Sequence, residues 1–272
     1  MSNSSVTKQA IRRVQQGKVA DVEDVLATEE PLEIRIIYGP TRTLKNLAVT
    51  MRTPGNDTEL ATGFLYTEGV ISKQVDIIYC KQLNDNVVQV ELDKSIILDL
   101  KNVDRNFYTT SSCGVCGKAS IDAIKTECTI YDKVKPFTVS AETIYALHEK
   151  LRGHQAAFAE TGGIHAAALF DLAGNIIMVR EDVGRHNALD KLIGAALSQG
   201  MIPLQQHILL LSGRASFELV QKATMAGLKV IVSVGAPSSL AVQTADEFGI
   251  TLIGFAKRDK FNIYCNSEVV TV

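Results

Sequence analysis

Ile208-Leu209-Leu210-Leu211-Ser212-Gly213-Arg214-Ala215-Ser216 runs from an unbroken apolar stretch into a short polar turn, and a helix-forming stretch follows at Phe217–Ala226. The order of strand, polar loop and helix decides the fold, because it recurs on both sides. Upstream, Ile176–Val179 leads through Arg180–His186 to a helix carrying Leu189, Leu192, Ile193, Ala196 and Leu197. Downstream, Val230–Val234 leads through Gly235–Ser238 to a helix at Ser239–Phe248, with a last strand at Thr251–Phe255. Apolar strands alternating with amphipathic helices predict an α/β fold with a mainly parallel sheet joined by right-handed crossovers. In such a sheet the loops leaving the C-terminal strand ends share one edge, where ligands bind. Those loops are Arg180–His186, Ser212–Ser216, Gly235–Ser238 and Ala256–Lys260, and their Gly, Ser, Arg, Lys and His content predicts a bulky, polar, anionic ligand.

Working back toward the N-terminus, His165–Phe170 and Asn175–Val179 read as strands joined by Asp171–Gly174. Ala141–Arg152 places Ile144, Leu147, His148 and Leu151 on one helical face. The first half reads differently. Leu32–Tyr38 and Leu44–Met51 form a predicted hairpin around Gly39-Pro40, and Ile77–Leu83 with Val87–Leu92 a second one around residues 84–86. Between them a capped helix is expected to start at Asn56, with Leu60, Phe64 and Leu65 on its apolar face. Residues 1–20, polar and mildly basic, are expected to be a frayed or peripheral segment. The expectation is therefore two domains: a small mixed α/β unit at 1–135, ending in a cysteine-bearing segment, and an α/β unit at 136–272.

Composition narrows the function. A formal net charge of -2 gives no reason to expect a nucleic acid or an anionic membrane surface as partner. No apolar run is long enough to span a bilayer, and the N-terminus lacks the apolar core of a signal peptide. Five cysteines spread over 272 residues argue for a reducing compartment and against a disulfide framework, so a cytoplasmic location is expected.

Cys113-Gly114-Val115-Cys116 carries the distinctive chemistry. Two thiols at this spacing can share a metal, close a disulfide, or let one cysteine carry a cargo sulfur. A structural zinc site wants a second such pair, which the chain lacks, so no metal is expected. A thioredoxin-like role needs a βαβ setting that the upstream residues do not supply. From Arg105 through Ile121 there is no acidic residue, Arg105 and Lys118 are basic, and a helix is expected to open at Lys118. Each of these features stabilises a thiolate. They raise reactivity without naming the reaction.

Other segments have plainer readings. Gly162-Gly163-Ile164-His165 is similar to the histidine-led zinc motif of cytidine deaminases, but a deaminase needs Glu at position 167, which is Ala. The charge-dense segment Arg180–Asn187 fits either a solvated turn ending in an N-cap at Asn187 or a ligand or interface role. Ser212-Gly213-Arg214 offers a guanidinium to a phosphate, although the P-loop spacing is absent. Phe255-Ala256-Lys257-Arg258-Asp259-Lys260 brings three cations to the end of the last strand.

Taken together, Glu59–Gly69, Thr109–Lys118, Thr161–Leu169, Arg180–Leu192, Ser212–Val220 and Val234–Val242 resemble the formate dehydrogenase accessory sulfurtransferases of the FdhD/NarQ family. The resemblance implies a C-terminal domain with the cytidine-deaminase-like α/β fold, without the deaminase metal. It implies a homodimeric sulfurtransferase that takes persulfide sulfur from a cysteine desulfurase on Cys113, with Cys116 assisting transfer or release. The sulfur would go to the Mo-bis(molybdopterin guanine dinucleotide) cofactor, or its tungsten form, before insertion into the catalytic subunit of formate dehydrogenase. The family's guanine-dinucleotide segment maps onto Phe255, Ala256, Lys257, Arg258, Asp259 and Lys260, and free guanine nucleotides are expected to mimic the cofactor. Lys257 and Lys260 stand where arginine is common in the family, which keeps the charge and loses the bidentate fork. Arg185, His186 and Arg214 are second-tier candidates on the same edge. The alternative function is a cofactor-binding chaperone without sulfur chemistry.

Overall fold

The computed structural model describes residues 4–98 and 135–272. The cysteine segment Thr109–Lys118, and with it Cys113 and Cys116, lies outside the described residues.

Residues 6–27 are peripheral, one of the two expectations, but they are ordered rather than frayed. β1 (Val6–Gln15) and β2 (Lys18–Ala27) form an antiparallel hairpin in continuous register. Its two-residue turn, Gln16-Gly17, holds both residues at positive φ (50° and 78°), the mirror-image turn that suits the twist of a hairpin. The hairpin lacks an apolar stripe because most of its surface faces water. Cross-strand ion pairs, Lys8–Glu23 and Arg12–Asp21 at 2.9 Å, take the place of a buried face.

The first half builds a four-stranded sheet in the order β4-β3-β6-β5. β3 (Glu30–Tyr38) pairs antiparallel with β4 (Thr43–Arg52), β5 (Ile77–Asn84) pairs antiparallel with β6 (Val87–Leu92), and β3 and β6 run parallel. Both predicted hairpins are present. Helix α1 (Asp57–Thr67) also forms where expected, but its start is held differently. Asn56 sits in the left-handed region with no side-chain cap. Instead the Arg52 guanidinium, fully buried, donates two hydrogen bonds of 2.9 Å to the Asp57 carboxylate in the first turn. A carboxylate there also suits the helix dipole.

The second half carries α2 (Ala141–Arg152), α3 (Ala156–Thr161), α4 (Arg185–Ser198), α5 (Phe217–Met225) and α6 (Ser239–Glu247) around a six-stranded sheet. The strand order is β13-β12-β11-β10-β8-β9. β10 (His207–Leu211), β11 (Val230–Ser233) and β12 (Thr251–Gly254) are the parallel centre, as the strand–loop–helix repeat requires. β8 (His165–Asp171) runs against β10, and β9 (Ile176–Asp182) against β8, so β9 points the same way as the parallel trio. β13 (Asn262–Cys265) closes the other edge antiparallel. The short strands β7 (Val139–Ser140) and β14 (Val270–Thr271) pair outside this sheet. Among the described residues no helix is long and apolar enough to cross a membrane.

The two halves share one core, in which Leu60 and Leu65 of α1 pack with Leu189, Leu192 and Ile193 of α4. The helices cross at backbone contact. A Cβ on Gly63 would lie 1.9 Å from the Asp190 carbonyl oxygen, and one on Gly194 would lie 1.9 Å from that of Glu59. Only glycine fits at either position.

Candidate functional site

The segment expected to be a charged loop, Arg180–His186, is mostly strand end and seam. β9 continues to Asp182, and α4 opens at Arg185 after a turn at Val183-Gly184. Arg180 grips Glu59 of α1 through both carboxylate oxygens, with Nη2 donating at 2.8 Å. The Glu181 carboxylate accepts from the backbone N–H groups of Ala157 and Phe158 and so caps α3. Asp182 is buried, pairs with Lys191 Nζ at 2.7 Å, and accepts from the Thr53 and Gly184 N–H groups. Burial pushes its carboxyl above the ordinary range, against the pull of Lys191. Asn187 is no N-cap. It lies inside the helix, donates to the Met51 carbonyl at 2.7 Å, and ties α4 to β4. These charges hold the halves together and leave only Arg185 and His186 of the segment for the edge.

A second seam cluster lies deeper. Lys222 of α5 donates at 2.9 Å to Asp190, to Glu68 and to Thr67. Burial pulls the Lys222 ammonium down, but the two carboxylates beside it win, and its pKa stands above the ordinary lysine value. Glycine spacing and buried pairing together account for the conspicuous residues of α1 and α4.

The ligand edge is built otherwise. The turns after β10, β11 and β12 are stitched by backbone hydrogen bonds, Gly235 N–H to Gly213 O at 3.0 Å and Phe255 N–H to Gly235 O at 3.1 Å among them. Gly213 lies against the His165 ring, where an added Cβ would sit 3.2 Å from Nδ1. Ser212 Oγ accepts from the Ala166 N–H at 2.8 Å and fixes the start of β8. Beside them opens a cleft of about 550 Å³, lined by His148, Arg152, Gln155, Phe158, His165 and Ser212 among others.

Among the described residues, three arginines near this edge, Arg152, Arg185 and Arg214, stand without a carboxylate, whereas every other arginine holds one. The two histidines of the cleft respond to that surplus. Burial, then the positive charges of Arg185 and His186, push His165 below the usual imidazole range, with Asp182 opposing. Burial and Arg152 do the same to His148, with Glu149 opposing. Both imidazoles are thereby biased toward the neutral form. His186 points elsewhere, its Nε2 3.5 Å from Ser216 Oγ and 3.8 Å from Glu218. That imidazole is the main reason the Glu218 carboxyl falls to about 2.

The segment Phe255–Lys260 leaves β12 at the same edge. Phe255 adopts φ 53° and keeps its ring 42% exposed, while Ala256 is buried. The Lys257 N–H donates to the Lys260 carbonyl and closes a tight turn, with Lys257, Asp259 and Lys260 exposed. Arg258 is held by Glu149 of α2 at 3.1 Å. Among the described residues, the cations of the segment that hold no carboxylate are therefore its two lysines. Sequence reasoning missed Arg152 and gave His148 only a place on an apolar face, because nothing local indicates that the end of α2 lies beside the start of β8.

Two cysteines fall within the described residues, and both are poor nucleophiles. Burial pushes the Cys80 thiol up to about 12 and raises that of Cys265. Among the described residues no group of three His, Cys, Asp or Glu side chains could hold a metal ion.

With this geometry in hand, comparison with known proteins is decisive. The family model described as the FdhD/NarQ family matches residues 27–271. The chain belongs to the FdhD/NarQ family. Its relatives include "Sulfur carrier protein FdhD" of Streptomyces avermitilis, 46% identical over 97% of this chain and 95% of that protein. The protein of the same name from Sulfolobus acidocaldarius is 42% identical over 97% of this chain and 98% of its own length. A Desulfotalea psychrophila crystal structure, described as a candidate formate dehydrogenase accessory protein, superimposes with a TM-score of 0.77 at 21% identity, covering 98% of this chain and all of that one. That likeness concerns the fold. The N-terminal hairpin lies almost wholly outside the family match, yet the S. avermitilis relative covers 97% of this chain.

Proposed function

We propose that this chain is a sulfurtransferase that carries sulfur on Cys113 for the maturation of formate dehydrogenase. The observation that carries the reading is 46% identity, over nearly the full length of both chains, to a protein named as a sulfur carrier. The cysteine chemistry supports it. Cys80 and Cys265 are held as thiols, and of the other three cysteines Cys113 and Cys116 lie in an acid-free segment while Cys128 follows Glu127, which favours the pair as nucleophiles.

In the first step the Cys113 thiolate attacks the terminal sulfur of a cysteine desulfurase persulfide. The S–S bond of that persulfide breaks, the desulfurase thiolate leaves, and Cys113 carries the S–SH group. In the second step the Cys116 thiol attacks the Cys113 sulfur. A Cys113–Cys116 disulfide forms, hydrogen sulfide leaves, and a dithiol reductant resets the pair. The sulfide is delivered to the molybdenum of the bis(molybdopterin guanine dinucleotide) cofactor, which is the substrate. Arg185, His186, Arg214 and the segment Phe255–Lys260 are the residues proposed to hold that polyanion, and the half-buried Arg185 and exposed Arg214 guanidinium groups, which hold no carboxylate among the described residues, fit its phosphates. The protein would work in the cytoplasm as a homodimer, with the desulfurase and the dehydrogenase catalytic subunit as partners.

The test is to incubate the protein with a cysteine desulfurase and cysteine and to locate the added sulfur by mass spectrometry. Cys113→Ala is expected to take up no sulfur and to leave formate dehydrogenase inactive, and Cys116→Ala to show a partial defect. Sulfur uptake and dehydrogenase activation by Cys113→Ala would overturn the assignment. The unpaired cations favour one second reading, a cofactor chaperone without sulfur chemistry. It predicts that activation survives loss of both cysteines.

A further inference from the structure

The lining of the cleft between α2, α3 and the C-terminal sheet edge includes none of Phe255–Lys260, and it has a chemistry of its own. Arg152 comes from the last turn of α2, His165 from the first residue of β8, and Ser212 from the first residue after β10. Arg185 stands close enough to His165 to act on its titration, and Arg214 follows the Gly213 that backs the imidazole. Elsewhere in the described residues this protein neutralises each arginine with a carboxylate. Here it does not.

We propose that this cleft is a phosphoryl-anion subsite, in which Arg152 supplies fixed charge and His165 and Ser212 line the anion's seat. The natural occupant would be a phosphate or pyrophosphate group of the cofactor, so the inference rests on the sulfur-carrier reading for the ligand's identity but not for its chemistry.

The physical consequence is proton uptake. Around His165 stand Arg185 and His186 of α4, Asp182 of β9, and the Ser212-Gly213 turn after β10. His148 faces Arg152 and Glu149 on its own helix, and Glu149 is engaged by Arg258. With the cleft empty, burial and the positive neighbours hold His165 neutral. An entering dianion reverses the sign of the local field, and the imidazole takes up a proton. Affinity therefore rises as pH falls, over the interval between the free and bound pKa values of His165.

The experiment follows the histidine ring C–H resonances of the full chain by NMR as pH is varied, without and with saturating inorganic sulfate, whose charge is constant over the range. One resonance, identified by its absence in His165→Gln, is expected to titrate about one unit higher with sulfate present, equivalent to about tenfold tighter binding to the imidazolium form. Arg152→Gln, an exposed position, is expected to abolish that displacement while leaving the other resonances in place. Inorganic pyrophosphate should compete with sulfate, and guanosine without phosphate should not. A His165 titration unmoved by sulfate, or moved equally in Arg152→Gln, overturns the proposal. Persulfide formation on Cys113 in the same preparations tests the sulfur-carrier reading alone, so the two failures are told apart.

Discussion

The seam between the halves and the ligand edge use the same residue types to opposite ends. In the seam, Arg180, Lys191 and Lys222 are each matched to a carboxylate from another element and withdrawn from water. At the edge, Arg152, Arg185 and Arg214 are left without one among the described residues, and two histidines are pushed toward neutrality beside them. Arg180–Leu192 passes from one regime to the other: Arg180, Asp182, Asn187, Asp190 and Lys191 face the seam, and Arg185 faces the edge. A motif dense in charge is thus mostly architecture, and Arg185 is the cation of it left without a carboxylate among the described residues.

The most damaging way to break the seam is to remove its buried cation. Lys222→Met removes the ammonium paired with the buried Asp190 carboxylate, and breaking a buried pair in this way costs about 4 kcal/mol. Urea denaturation should register the loss. Gly63→Ala tests the same seam through packing. The added Cβ meets the Asp190 carbonyl at 1.9 Å, and the backbones must separate at a cost of about 3 kcal/mol. If either variant unfolds with the parent's midpoint, the shared core is not what joins the halves.

How much of this was legible in the sequence follows from which interactions are local. Both hairpins of the first sheet, α1, α2 and the parallel trio announced themselves by apolar spacing and by turn residues. The N-terminal hairpin escaped because its strands face water on both sides and are held by ion pairs, so there was no alternation of polar and apolar residues to read. The partners of Arg180 and Asn187 were illegible for a different reason. Those partners, Glu59 and Met51, lie 121 and 136 residues away along the chain, and no window contains both ends of such a contact. Gly63 and Gly194 look like ordinary helix-weakening glycines until α1 and α4 are crossed. The edge itself was legible, since strand order alone locates it. Arg152 and His148 joined it only through the packing of α2.

The edge should respond to substitution in the opposite way. Arg214 is exposed and holds no carboxylate among the described residues, so Arg214→Gln is expected to change stability by no more than about 0.5 kcal/mol. Guanosine diphosphate affinity should nevertheless fall about tenfold, equivalent to about 1.4 kcal/mol, because a fixed charge facing the phosphates has gone. Isothermal titration read beside a urea midpoint separates the two effects. A variant that loses stability without losing affinity would move Arg214 from the edge to the scaffold.

The smallest effect comes from Glu218, which belongs to neither regime, since its partner is a histidine 3.8 Å away and the pair is only half-buried. The Glu218 carboxyl falls from 4.5 to about 2, chiefly because of the His186 imidazole. A carboxyl whose pKa is depressed on folding contributes stability that is fully present above its unfolded pKa and is lost as pH falls through the folded one. Glu218→Gln should therefore lower the urea midpoint near pH 5, and that difference should close as pH falls between 4.5 and about 2. Solvent screening keeps the difference well below that of Lys222→Met. A gap that persists unchanged into acid would mean that Glu218 acts through packing or through its place in the first turn of α5. The charge paired with His186 would then contribute nothing to stability.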